Sequence, residues 1–155
     1  EYWGPVEEFL KYIKYHFPKN KLIIAAHHRR NKNDIPIKGF KFYFDQTNQL
    51  IKNSKFVLCH NSFASQIAVL FNKPIIFLTS DYFKNFHYHS YTMTVKLSQT
   101  LGSTRIHLGK TFKNNSTLIK KIKSSKVNYS KYEIYKKNYI QFPDLNFYGR
   151  WKSRI

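Results

Sequence analysis

Polar side chains that could bind an anionic ligand follow three apolar runs of this chain. KLIIAA is followed by His27, His28, Arg29 and Arg30, FVLC by His60, Asn61 and Ser62, and PIIFL by Thr79, Ser80 and Asp81. Arginine can neutralise a diphosphate, hydroxyl and backbone N–H groups can hold phosphate oxygens, and a carboxylate can accept from sugar hydroxyls. We therefore expect a nucleotide-sugar site at these residues: His27, His28, Arg29, Arg30, His60, Asn61, Ser62, Phe63 and Asp81.

The elements that would position these residues are clearest between Lys55 and Leu78. Two runs there, Phe56 to Cys59 and Pro74 to Leu78, are short and uniformly apolar, as is typical of parallel strands buried on both faces. The segment between them is long enough for a crossover helix from about Ser62 to Phe71. Ser62 then lies where the first backbone N–H groups of a helix have no intrahelical partner, so this position suits either an anion or a plain N-cap.

Other segments supply further helices and strands. Apolar residues at Phe9, Leu10, Ile13 and Phe17 predict an opening helix. We then expect a buried strand in KLIIAA and a further strand in FKFYF. A short helix with an Asp45 cap is expected in QTNQLIKNS, and a last strand in STRIHLG. The aromatic stretch after Ser80 predicts a loop plus a helix.

The carboxyl-terminal part of the chain is rich in lysine and tyrosine. A weak amphipathic surface helix is expected between Lys110 and Lys126. A stronger helix is expected in NYSKYEIYKKNYIQF, where the aromatic residues recur at spacings of three and four: Tyr132, Tyr135, Tyr139 and Phe142. Strands that alternate with helices predict an α/β, Rossmann-like three-layer domain with an open, mainly parallel sheet of about four to six strands. We expect one domain over residues 1–155, with 143–155 as a tail.

Charge and cysteine content limit the classes of partner and compartment. The chain of 155 residues has 27 lysine and arginine residues against 8 acidic ones, a formal charge of +19. Such a field attracts polyanions or anionic lipid, although the lysine-rich composition is also what an AT-rich genome produces. The single Cys59 excludes an internal disulfide and suits the cytoplasm. Neither a membrane span nor a signal peptide is expected.

Two segments resemble a known enzyme family. KLIIAAHHRR and FDQTNQLIKNSKFVLCHNSFASQIAVLFNKPIIFLT look like the carboxyl-terminal, donor-binding domain of a GT-B glycosyltransferase that makes bacterial surface polysaccharide or lipopolysaccharide. The family's His-Pro-Arg-like motif falls on His27, His28 and Arg29 or one residue later, and its His-x-Ser motif falls on His60, Asn61 and Ser62. The similarity covers roughly Lys21 to Thr79.

This resemblance implies a fold and a reaction. It implies two facing Rossmann-like domains, a nucleotide-sugar donor bound mainly by the domain seen here, and no obligatory metal or cofactor. The acceptor would be a glycan or lipid-linked glycan, and the amino-terminal domain that usually supplies the catalytic base would be missing from this chain. We therefore expect an isolated chain that binds donor without transferring it, in the cytoplasm or peripherally at the inner face of the membrane.

Rival interpretations use other residues. A zinc site could combine His87 and His89 with the histidines at 27, 28 or 60, but no paired cysteines or HExxH spacing support it. Cys59 beside His60 suggests a thiol nucleophile, although adjacent strand residues point to opposite faces. Ser62 lacks the flanking glycines of a hydrolase elbow. The remaining alternative is a non-catalytic basic module that binds nucleic acid or anionic membrane, with no motif for specific nucleic-acid recognition.

Overall fold

The computed structural model describes residues 3–26, 37–60, 62–109 and 116–140. Within them the helices are α1 (Trp3–His16), α2 (Thr47–Asn53), α3 (Ala64–Leu70), α4 (Asp81–Phe86), α5 (Tyr88–Thr100), α6 (Ser116–Lys123), α7 (Tyr129–Tyr135) and a π-helix (Lys136–Ile140). The strands are β1 (Ile23–Ala26), β2 (Lys41–Phe44), β3 (Val57–Cys59), β4 (Ile75–Ser80) and β5 (Thr104–Leu108). The expected tail, 143–155, and Phe142 lie outside the described residues.

The strands form two small parallel sheets. One contains β1 and β2, and the other has the order β3-β4-β5. The prediction of an α/β protein with parallel strands is confirmed. The prediction of one open sheet of about four to six strands is not, because the larger sheet has three strands in the part of the chain that is described.

Helices cover both faces of the three-stranded sheet, as the side chains of β4 demonstrate. Ile76 and Leu78 belong to one hydrophobic cluster with residues of α1 and α6, whereas Ile75 and Phe77 belong to a second cluster with residues of α3 and α7. Successive residues of a strand point to opposite faces, so a strand buried on both sides is mainly apolar on both. This explains why Ile75 to Leu78 of β4 form an uninterrupted apolar run.

The structure corrects several local predictions. β1 is not a buried strand, because Ala26 is its one buried residue. Asp45 does not cap α2: Gln46 occupies the N-cap position without a side-chain bond, and Asp45 adopts a φ of +58°, which aspartate tolerates. α6 is amphipathic as expected, but Leu118 and Ile122 are buried in the core rather than at the surface.

The segment after the apolar run of β4 also differs from the prediction. Thr79 and Ser80 belong to β4, which extends two residues beyond the apolar run. Two helices, α4 and α5, replace the expected loop plus helix, and the Ser80 side chain begins the first of them by accepting a hydrogen bond from the Phe83 N–H at 3.3 Å.

Candidate functional site

The carboxyl ends of β3, β4 and β5 bring three of the polar residues to one edge of the sheet. His60 directly follows β3, Asp81 directly follows β4 as the first residue of α4, and His107 is the penultimate residue of β5. Parallel strands end at a common edge, and this edge is where open α/β sheets bind ligands. The sequence identified the first two of these residues and missed His107.

His60 lies partly buried against α4. Its ring centroid is 5.1 Å from that of Phe83, and burial lowers the pKa of His60 from its ordinary value. The imidazole is therefore neutral at pH 7, so it can donate or accept a hydrogen bond but does not supply a positive charge to a phosphate group.

Stability should depend on pH through His60. Because the pKa of His60 is lower in the folded than in the unfolded state, the unfolded chain binds a proton first as the pH falls through about 6.5. We expect the free energy of unfolding to fall between pH 7.5 and 5.5, by at most about 1.4 kcal/mol per pH unit from this group. Urea titrations at both pH values should find a smaller fall in His60→Gln. Equal falls would contradict the assignment.

Ser62 organises the turn that enters α3. Its hydroxyl oxygen accepts a hydrogen bond from the Ala64 N–H at 3.3 Å, and its carbonyl oxygen accepts from the Ser65 hydroxyl at 2.7 Å. Ser62 and Phe63 are both exposed. Ser62 is nevertheless not the N-cap that the plainer interpretation predicts, because Phe63 occupies that position, with no side-chain capping bond to α3. The exposure of Ser62 leaves its hydroxyl accessible to a ligand.

Asp81 has a contact with the neighbouring strand. Its Oδ1 lies 3.2 Å from His107 Nε2, and His107 Nδ1 lies 3.3 Å from the hydroxyl of Thr79. Thr79 is buried, and its hydroxyl also donates to the carbonyl oxygen of Ile106 at 3.4 Å. The carboxylate is therefore anchored to the sheet through two side chains.

Aromatic rings line the same edge beside His60. Phe83 contacts both His60 and His87, with centroids 5.1 and 5.9 Å away, and Tyr82 contacts His87 and Phe86 at 5.5 and 5.0 Å. Phe86 is 71% exposed. Exposed aromatic rings can stack on a nucleobase, so this array adds an apolar surface to the polar edge.

Comparison with protein-family models, curated proteins and solved structures finds no match for this chain.

Several predicted site residues lie outside the described part of the chain, namely His27, His28, Arg29, Arg30 and Asn61. His107 could have been found with the rule that identified Asp81. It stands two residues before the end of the predicted strand STRIHLG, where a polar side chain reaches the same edge as those that follow the preceding strands.

Cys59 is unsuited to the thiol-nucleophile interpretation. Burial raises the pKa of Cys59 to about 12, which leaves the thiol protonated and unreactive at neutral pH. No group of three histidine, cysteine or acidic side chains suited to a metal occurs among the described residues. None of the helices within the described ranges is long and apolar enough to span a bilayer.

A shallow depression of about 500 Å³ lies at the other end of β5. It surrounds the first residue of that strand, and its lining is mostly polar: Gly102, Thr104, Ser124, Ser125, Lys126, Val127, Asn128, Tyr129 and Ser130. This hollow is separate from the edge that carries His60 and Asp81.

Proposed function

We propose that this chain is the donor nucleotide-sugar-binding half of a GT-B type glycosyltransferase that acts in bacterial cell-surface polysaccharide or lipopolysaccharide synthesis. The observation that carries the proposal is the convergence of His60 and Asp81 on one edge of a parallel sheet, with Ser62 at the adjoining turn. The resemblance in sequence motifs around His60 and Ser62 adds to it.

Each residue of the edge has a proposed role. The exposed Ser62 hydroxyl would bind a phosphate oxygen, and the carboxylate of Asp81 would accept from hydroxyl groups. Because His60 is neutral at pH 7, the charge of a diphosphate would be balanced by arginine, for which Arg29 and Arg30 are the candidates.

The rest of the enzyme follows from the same resemblance. A second Rossmann-like domain would bind a glycan or lipid-linked acceptor and supply the catalytic base, so residues 1–155 alone would bind donor without transferring it. A formal charge of +19 would favour a position at the anionic inner face of the cytoplasmic membrane.

Calorimetric titration of the 155-residue chain tests this proposal. We expect binding to at least one nucleotide sugar among UDP-glucose, GDP-mannose and CMP-sialic acid, and a loss of about tenfold or more in affinity for Arg29→Ala, because a charge-assisted contact to phosphate is removed. Ser62→Ala should weaken binding, whereas Ser62→Thr, which keeps the hydroxyl, should not. Arg105→Ala is a control that removes the same charge from an exposed site on β5. Absence of binding to every donor would contradict the proposal.

A second candidate is a basic module that binds nucleic acid or anionic membrane without catalysis. The exposed lysines of α6, Lys120, Lys121 and Lys123, together with the net charge favour it. Binding to oligonucleotides or phosphatidylserine vesicles that disappears at moderate salt, with no nucleotide binding at low salt, would support this candidate over the first.

A further inference from the structure

Thr79, His107 and Asp81 form a chain of side chains across the carboxyl edge of β4 and β5. Thr79 and His107 are directly paired in the register of these strands, so their side chains lie on the same face of the sheet. Asp81 follows two residues after Thr79 and reaches the far nitrogen of the same imidazole. Strand pairing thus fixes the ring that contacts the carboxylate.

The two ring nitrogens of His107 are both engaged. Nδ1 faces the buried Thr79 hydroxyl at 3.3 Å, and Nε2 faces the Asp81 carboxylate at 3.2 Å. In the neutral ring Nδ1 can accept from Thr79 while Nε2–H donates to Asp81. In the protonated ring both nitrogens donate, and the Thr79 hydroxyl turns to the Ile106 carbonyl oxygen. Either way the imidazole is committed to protein groups, which makes it a poor candidate for a base acting on substrate.

The carboxylate, in contrast, keeps capacity for a ligand. Two carboxylate oxygens offer about four acceptor positions, of which the contact with His107 takes one. The Asp81 side chain is 75% exposed and His107 is 44% exposed. The contact of one oxygen with His107 fixes the orientation of the carboxylate, and the other oxygen remains available to a ligand. Less side-chain entropy is then lost when the carboxylate binds a hydroxyl group.

We propose that His107 is a positioning residue that orients the Asp81 carboxylate toward the hydroxyl groups of the donor sugar. This inference rests on the proposed function and names the part of the donor that this end of the edge recognises. The imidazole also places a hydrogen-bond donor beside a negative charge that would otherwise repel a diphosphate nearby. His107 itself does not contact the donor.

The test compares the affinities of a nucleotide sugar and its free nucleotide. Calorimetry on the 155-residue chain would use UDP-glucose with UDP, GDP-mannose with GDP, and CMP-sialic acid with CMP. For the pair that binds, we expect Asp81→Ala to lower the affinity for the nucleotide sugar about tenfold and the affinity for the free nucleotide less than twofold. Only the nucleotide sugar offers donor-sugar hydroxyls. His107→Phe should also lower the affinity for the nucleotide sugar. The double variant with Asp81→Ala should bind no more weakly than Asp81→Ala alone.

A conservative variant separates positioning from packing. His107→Gln retains an N–H that can donate to the Asp81 carboxylate, so its affinity for the nucleotide sugar should stay within about threefold of wild type. The affinity of His107→Phe should not. Glu8→Ala, which removes an exposed carboxylate from α1, is the matched control for Asp81→Ala and should leave both affinities unchanged.

If Asp81→Ala and His107→Phe lowered the affinities for nucleotide sugar and free nucleotide equally, or lowered neither, the inference would be overturned. The nucleotide-binding proposal would remain in place. If His107→Gln bound the nucleotide sugar as weakly as His107→Phe, the proposed role of the hydrogen bond from residue 107 to the Asp81 carboxylate would be overturned. If wild type bound no member of any pair, the proposed function and this inference would fall together.

Discussion

Phe77→Ala is expected to lower the free energy of unfolding by about 3–5 kcal/mol, the usual cost of truncating a fully buried phenylalanine. Phe77 is 0% exposed and lies in the middle strand of the three-stranded sheet, in the cluster that joins β4 to α3 and α7. Its removal leaves a cavity between the sheet and one helical layer. Urea unfolding followed by circular dichroism at pH 7.5 would measure the loss.

A matched substitution at the surface provides the control. Phe86→Ala removes the same side chain from a position that is 71% exposed, so we expect a change of about 0.5 kcal/mol or less. If Phe77→Ala fails to fold, Phe77→Leu should still unfold at lower urea concentrations than wild type, with a loss of about 1–2 kcal/mol. Comparable midpoints for Phe77→Ala and Phe86→Ala would contradict a core on this face of β4.

The strand, turn, helix and strand between Phe56 and Leu78 could be predicted because the pattern is local. Short apolar runs separated by a polar turn and a helix-length segment have few alternatives, and the observed β3, α3 and β4 follow this pattern. The end of β4 could not be predicted in the same way. Thr79 and Ser80 look like a turn, yet both are buried, and hydrogen-bond partners in Ile106 or His107 and in the first turn of α4 offset the cost of burying their hydroxyls.

The candidate site was predictable where it depends on a single strand end. His60 directly follows an apolar run and Asp81 comes three residues after the next one, so the rule that ligands bind at the carboxyl edge selects both as candidates from the sequence. The contact of Asp81 with His107 depends instead on the register of β4 with β5, in which Thr79 faces His107 across 28 residues of chain. Packing of the whole sheet sets that register, so no local pattern encodes it.

Sheet size was overestimated for a related reason. The sequence shows how many apolar runs can become strands, but which strands pair depends on how their side chains are buried. β1 has one buried residue and pairs with β2, whereas all six residues of β4 are buried between its two neighbours. A count of apolar runs cannot distinguish these two environments.

Tyr132→Ala should destabilise the protein about as much as Phe77→Ala, by about 3–5 kcal/mol. Tyr132 is 0% exposed, packs in the same cluster as Phe77, and donates its hydroxyl hydrogen to the carbonyl oxygen of Lys73 at 3.0 Å. Burial raises the pKa of Tyr132, so the phenol stays protonated and the hydrogen bond persists at neutral pH. Tyr132→Phe keeps the ring and removes the hydroxyl with its hydrogen bonding, so it should cost about 1 kcal/mol in the same urea assay.

Tyr129 offers a control on the same helix. It is 64% exposed, so Tyr129→Ala should change the free energy of unfolding by about 0.5 kcal/mol or less, and an equal loss at both positions would mean that α7 does not pack as described. The position of the Lys73 carbonyl adds a second expectation. Lys73 precedes β4, at the end of the strand opposite to Asp81, so Tyr132→Phe should lower stability without changing nucleotide-sugar affinity. Affinity that fell together with stability would indicate that the two ends of β4 are coupled.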